Sequence, residues 1–144
     1  MLFSFTFLAA SNIEDIKILN KLSSFNRSFN QKEYTQMANF FDFPVTINLF
    51  NETLLAIDKK KIIKIYKDAR KNQPKKYQRS DFKEMSVKLL SENIAIVNTM
   101  YSEYDKNNNS YFTGSALYTL RKIEDEWRII SYTPYKPYNF FNFK

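Results

Sequence analysis

With 144 residues, the chain is long enough for one domain and for a sizeable core. Its 44% hydrophobic and 17% aromatic content sets it apart from disordered sequences. Cysteine and histidine are both absent, which excludes disulfides and thiolate metal sites and removes the commonest metal ligand and neutral-pH general base. No metal or other cofactor is therefore expected, and proton transfer would fall to Asp, Glu, Tyr, Lys or water. The net charge is +7, but the lysines are scattered over several elements, as a Lys- and Asn-rich composition gives, so no nucleic-acid partner is expected.

Residues 1–10 form an apolar segment ending at Ala9-Ala10. It reads either as part of an export signal or, lacking a basic leader, as the start of a cytoplasmic protein. No apolar run reaches the length of a membrane span. Ser11-Asn12-Ile13-Glu14 has the form of a capping box and predicts that the first helix starts there. Ile18, Leu22, Phe25 and Phe29 give that helix its apolar stripe, widened by Ile16 and Leu19, to an end near Asn30. Tyr34, Met37, Ala38 and Phe41 predict a second, short helix that stops before Pro44.

Val45 to Phe50 reads as a strand, with Glu52 to Ile57 pairing to it as a hairpin across Asn51. Asp58 caps a third helix with Ile62, Ile65, Tyr66 and Ala69 on its inner face and lysines over the remainder. From Tyr77 the hydrophobic period switches to two. Four strands follow at residues 82–90, 94–104, 111–123 and 127–135, joined by short polar turns, which predicts an antiparallel meander. Ile94-Ala95-Ile96-Val97 is apolar on both faces and predicts a central strand. The fold class is α+β: three N-terminal helices packed in a strongly curved antiparallel sheet, whose open end leaves a hollow suited to a small ligand.

Local strings support a more specific assignment. They are Phe25 to Asn30, Met37-Ala38-Asn39-Phe40-Phe41, Phe43-Pro44-Val45, Ile94-Ala95-Ile96-Val97, Ala116 to Lys122 and Glu126-Trp127-Arg128-Ile129. With the order of elements, they resemble the SnoaL-like branch of the nuclear transport factor 2-like superfamily over residues 11–135. The resemblance implies a cystatin-like, cone-shaped α+β barrel, often dimeric through the outer face of the sheet. Members include ketosteroid isomerase, scytalone dehydratase, polyketide cyclases and limonene epoxide hydrolase, as well as binding and assembly modules, so the fold does not choose a function. A chain without histidine cannot run the histidine-dependent mechanisms among them, and no counterpart of the isomerase's paired acids is evident.

Two carboxylates are candidate catalytic residues. Asp42, among Phe41, Phe43 and Pro44, is either a general base with a raised pKa or a helix-end residue bonded to backbone amides. Glu103 shares a strand face with Tyr101, where phenol and carboxylate could polarise a carbonyl and move a proton. The alternative is a cross-strand ion pair of Glu103 with Arg121, and register decides between them. Tyr66, Tyr101 and Tyr118 are the expected pocket-lining groups, and Trp127 is expected to pack on the first helix. The aromatic tail, residues 136–144, would cover either the pocket mouth or a subunit interface. The sequence thus predicts a homodimer that binds a small apolar or semi-polar molecule. The alternatives are a cofactor-free isomerase, cyclase or hydrolase, and a structural dimer whose hollow is filled by its own phenylalanines.

Overall fold

The computed structural model describes the backbone of residues 3–143, and side chains from Ile13 to Phe143, Tyr138 apart. Ten elements follow in chain order: α1 (Phe3–Asn30), α2 (Tyr34–Ala38), β1 (Phe41–Asn48), β2 (Thr53–Ala56), α3 (Lys59–Lys71), β3 (Arg79–Leu89), β4 (Ile94–Tyr104), β5 (Ser110–Ile123), β6 (Glu126–Tyr135) and a 3₁₀ turn, Pro137–Asn139. The strands make one six-stranded sheet in the order β2-β1-β6-β5-β4-β3, open at β2 and β3. The meander β3 to β6 is antiparallel throughout. β1 is antiparallel to β2 but parallel to β6. The sheet curves around α1 and α3, so the architecture is the expected α+β cone.

Several expectations need correction. α1 does not start at the capping box. It runs unbroken from Phe3, because nothing in Leu8-Ala9-Ala10-Ser11 stops a helix, and the side chains of Ser11 and Asn12 lie outside the described residues. Of the apolar N-terminal segment, residues 1 and 2 also lie outside them. Among the described residues no helix is long and apolar enough to cross a membrane. Ile16 does not widen the buried stripe but is 58% exposed, whereas Ile18, Leu22 and Phe25 are buried.

α2 ends at Ala38 rather than reaching Phe41. The Ile129 amide donates to the Phe40 carbonyl at 2.8 Å, drawing the chain onto β6. Phe41 therefore opens β1 and is buried against Phe25. β4 is not central but second from the β3 edge. Its two apolar faces have separate covers: the helices inside, and the C-terminal tail outside, where Asn98 donates to the Phe141 carbonyl. The tail thus lies on the outer face of the sheet, with Tyr135 also donating to Asn98 and the Phe143 amide donating to Ser86 Oγ at 2.8 Å.

Other local choices follow the sequence closely. Asp58 caps α3, its side chain accepting from the Lys61 amide at 2.8 Å. Glu124 and Asp125 form the β5–β6 turn with φ of 49° and 68°. The type I′ hairpin turn needs this left-handed backbone at both centres, here without glycine.

Trp127 is buried against α1, and its indole Nε1 donates to Glu14 Oε2 at 2.6 Å. Lys122 pairs with the same carboxylate at 3.3 Å. The indole hydrogen bond, ahead of the lysine contacts, holds the Glu14 carboxyl below its ordinary value of 4.5. Because the folded value is the lower one, this contact stabilises the fold fully above about pH 4.5 and loses that effect as pH falls through the depressed value. Melting curves of the wild type and Glu14→Gln should therefore differ at pH 7 and converge towards pH 3. Trp127 is the sole tryptophan, so its emission reports the same titration. Curves that stay parallel down to pH 3 would show that Glu14 is not coupled to folding.

Candidate functional site

Strand register aims a defined set of side chains into the cone. Across the sheet, Val87, Val97, Tyr118, Tyr132 and Ile47 form one inward row. Phe82, Tyr101 and Gly114 form a second, and Ser80 pairs with Glu103 nearer the open end. α3 closes the opposite side through Ile65, Tyr66 and Ala69, with Gln73 just beyond its end. Between them lies a cavity of about 510 Å³. Among the described residues, phenylalanines do not fill it. Phe25 packs beneath it, edge-on to Tyr66 and Tyr118, while Phe29 and Phe82 form parts of its wall.

The wall is mainly apolar, from Phe29, Ile47, Leu49, Leu54, Ile65, Phe82 and Pro134, with four phenols set into it: Tyr66, Tyr101, Tyr118 and Tyr132. The rim carries Glu52, Lys61, Lys64 and Asp68. Burial raises the pKa of all four phenols. For Tyr118 and Tyr132 the neighbouring phenols push further in the same direction. Tyr118 and Tyr132 have ring centroids 5.1 Å apart, and Tyr132 interacts with the Tyr101 hydroxyl. These groups stay neutral throughout the physiological range. They can donate to a carbonyl or ether oxygen but cannot serve as bases.

Among the described residues the one buried carboxylate is Glu103, only 8% exposed and on the cavity wall. Tyr111 donates to its Oε2 at 3.2 Å and Gln73 Nε2 to its Oε1 at 3.4 Å. Among the described residues no cation pairs with it. Burial, followed by the Glu103 charge and hydrogen bond, pushes Tyr111 up to about 12. Glu103 is thus held by two neutral donors on the cavity wall, an arrangement that leaves lone pairs for a ligand hydroxyl or a transferable proton.

Asp42 lies elsewhere. It follows the inward-facing Phe41 on β1, pairs with Arg121 at 3.6 Å and is not on the cavity lining. Arg121 is therefore engaged by Asp42 and not by Glu103, so the alternative ion pair does not form. Among its described residues the tail does not cover the mouth either. Tyr135 and Phe141 stack on the far side of the sheet, and Pro134 is the last described residue to reach the cavity.

Four contributors escaped the sequence reading. Tyr132 was hidden by a bulge: the register shift between Leu120–Ile129 and Thr119–Ser131 leaves Ile130 unpaired, so inward parity passes from Trp127 and Ile129 to Tyr132 and Pro134. Gln73 lies past the last helical residue, where periodicity gives no direction. Tyr111 follows an irregularity between Glu103 and Tyr104. Gly114 carried the only available signal, as the single glycine in the chain. Among the described residues no cluster of three acidic side chains could hold a metal ion.

The family described as NTF2-like protein (DUF6841) matches residues 18–137. No curated protein matches the chain in sequence. Solved structures share the fold. A protein of unknown function with a cystatin-like fold from Nostoc punctiforme superposes with a TM-score of 0.71 at 12% identity, over 85% of this chain and 90% of that one. An NTF2-like protein with a cystatin-like fold from Novosphingobium aromaticivorans gives 0.73 at 8% identity, over 93% and 88%. An NTF-2 like protein of unknown function from Shewanella oneidensis gives 0.64 at 16% identity, over 84% and 98%. Identities this low carry the fold and not the activity.

Proposed function

The chain belongs to the NTF2-like family DUF6841, and we propose that it is a binding module for a small, semi-polar molecule held in the cone without a cofactor. The observation that carries this reading is the cavity of about 510 Å³, which is open and apolar-walled, with neutral phenols at its base. Ligand pockets of ~300–1,000 Å³ usually combine an apolar wall with a few fixed polar groups. Tyr101, Tyr118 and Tyr132 supply donors for an oxygen on an otherwise apolar ligand, and Glu103 accepts from a hydroxyl nearer the mouth. The Glu103 carboxyl oxygens pair with a hydroxyl and not with a second acceptor, so the ligand presents a donor at that end. A homodimer through the outer sheet face remains part of this reading, with the aromatic tail inside the contact.

A second reading is favoured by one observation. Glu103 is a buried carboxylate with only neutral partners, on the wall of a cavity rich in phenol donors. In a cofactor-free isomerase, cyclase or hydrolase it would take a proton from carbon or water while Tyr101 stabilises the developing oxyanion. Asp42 is the matched control, since it lies outside the cavity.

Titration with the neutral fluorophore N-phenyl-1-naphthylamine tests the binding reading. The wild type should take up one equivalent at micromolar concentration, and Leu54→Trp, which fills the cavity from an edge strand, should weaken uptake at least tenfold. Asp42→Asn should bind as the wild type does. Equal binding by wild type and Leu54→Trp would place the probe outside the cone and refute the reading. Once a turned-over substrate is found, Glu103→Gln should abolish turnover and Asp42→Asn should not.

A further inference from the structure

The mouth of the cavity is bordered by two features that the binding reading does not use. The first is the β1–β2 hairpin, closed by the Leu49 amide donating to the Glu52 carbonyl at 2.9 Å. Its tip exposes Phe50 at 75% and Leu49 at 38%, and Leu49 also lines the cavity. Ile57, at the far end of the hairpin, is 68% exposed. The second is α3, whose exposed side carries Lys60, Lys61, Lys64, Lys67 and Lys71. Lys61 and Lys64 lie on the same rim as Leu49. The opposing charges are Glu52 and Asp68 on that rim and Asp58 at the start of α3; Asp68 is paired with Lys64 at 2.6 Å, and Asp58 caps the helix through the Lys61 amide. Among the described residues Lys60 and Lys61 form no ion pair.

A large aromatic at a hairpin tip, beside an excess of lysine, is poorly explained by folding. Phe50 contributes nothing to the core, and the first lysines of α3 oppose the helix dipole. Together they match the chemistry of an anionic bilayer: apolar side chains that enter the acyl boundary and ammonium groups that meet phosphate. An acidic protein surface would satisfy the lysines but leave Phe50 without a partner. The cavity opens between these two features, so a bilayer meeting them would face its mouth.

We infer that the cavity mouth docks on an anionic lipid surface. The Leu49-Phe50 tip inserts between headgroups, the lysines of α3 engage the phosphates, and the cavity ligand is a membrane-resident amphiphile taken from or delivered to that surface. The identity of the ligand rests on the binding reading above; the docking does not.

Co-sedimentation of the full chain with vesicles of phosphatidylcholine and phosphatidylglycerol (7:3) tests the docking. The wild type should bind these and not pure phosphatidylcholine vesicles, and 0.5 M NaCl should release it. Lys60→Ala with Lys61→Ala should weaken binding by about fivefold per lysine, and Phe50→Ser at least fivefold. Lys83→Ala with Lys88→Ala, on the distant β3 edge, should have under half the effect of the α3 pair. No binding to anionic vesicles, equal loss from the two lysine pairs, or unchanged binding by Phe50→Ser would each overturn the inference. Binding to polyglutamate as tight as to vesicles would also overturn it, pointing to an acidic macromolecule. The two readings fail separately: Leu54→Trp should lose the neutral fluorophore but keep vesicle binding, and Phe50→Ser should do the reverse.

Discussion

Phe25→Ala is expected to destabilise the chain by about 3–5 kcal/mol, the range for removing a buried phenylalanine that leaves an unfilled space. Phe25 joins elements that share little else. Its ring meets Phe41 of β1 at 5.5 Å, Tyr66 of α3 at 5.8 Å, Tyr118 of β5 at 6.2 Å and Phe40 at 6.4 Å, mostly edge-on. Each such pair adds about 0.5–1.5 kcal/mol beyond burial. Phe41, Tyr66 and Tyr118 are each held by their own strand or helix, which limits how far they can move into the space. In a domain of this size the loss corresponds to a fall in melting temperature of about 10 °C or more. Thermal and denaturant unfolding would measure it, and a cost below about 1.5 kcal/mol would mean that the floor of the cone collapses around the gap. Because Tyr66 and Tyr118 rest on Phe25, fluorophore binding by the folded mutant should also weaken.

Gly114→Ala should do the opposite, with little effect on stability and a large one on the site. Gly114 pairs with Tyr101 across β4 and β5, and the Tyr101 ring lies over it. A Cβ there would stand 2.5 Å from both Cζ and Oη of Tyr101, and 3.0 Å from Phe112 Cε1. Atoms cannot approach so closely, so Tyr101 must swing away, and its flexible outer end permits this at small cost. The phenol would then leave its place beside Tyr132 and Glu103. Fluorophore affinity should drop about tenfold, the equivalent of about 1.4 kcal/mol, while the melting temperature shifts by only a few degrees. Tyr101→Phe should lose less than Gly114→Ala, because it removes the hydroxyl without moving the ring. Unchanged affinity in Gly114→Ala would mean that the position of Tyr101 is irrelevant to binding.

The sequence was most legible where a local rule acts alone. Strict alternation placed β3 to β6 within a few residues of their observed ends. Asp58 announced α3 through its cap, and the spacing of Ile18, Leu22 and Phe25 identified the buried side of α1. Tyr66 could be placed on the inner stripe of α3 from helical spacing alone, whereas for Tyr101 and Tyr118 alternation gave two possible faces and only strand register chose between them.

Legibility failed where long-range contacts override the local signal. Phe41 fits the spacing of α2, yet a parallel pairing with β6, distant in sequence, makes it the first residue of a strand. No turn or spacing encodes that pairing. Tyr132 was missed because a single unpaired residue, Ile130, reverses which side chains face inward. Asp42 looked buried because its sequence neighbours are aromatic, but alternation along β1 turns Phe41 inward and leaves Asp42 to Arg121. The apolar outer face of β4 suggested a central strand because the chain's own tail, and not another strand, covers it.

Whether the cone holds a small molecule is decided by native mass spectrometry of the full chain purified from its own host. The wild type should carry a discrete added mass above 17.3 kDa, removed by mild collisional heating, and Leu54→Trp prepared in the same way should appear without it. No added mass on the wild type, or the same added mass on both proteins, would mean that the cone does not hold the molecule.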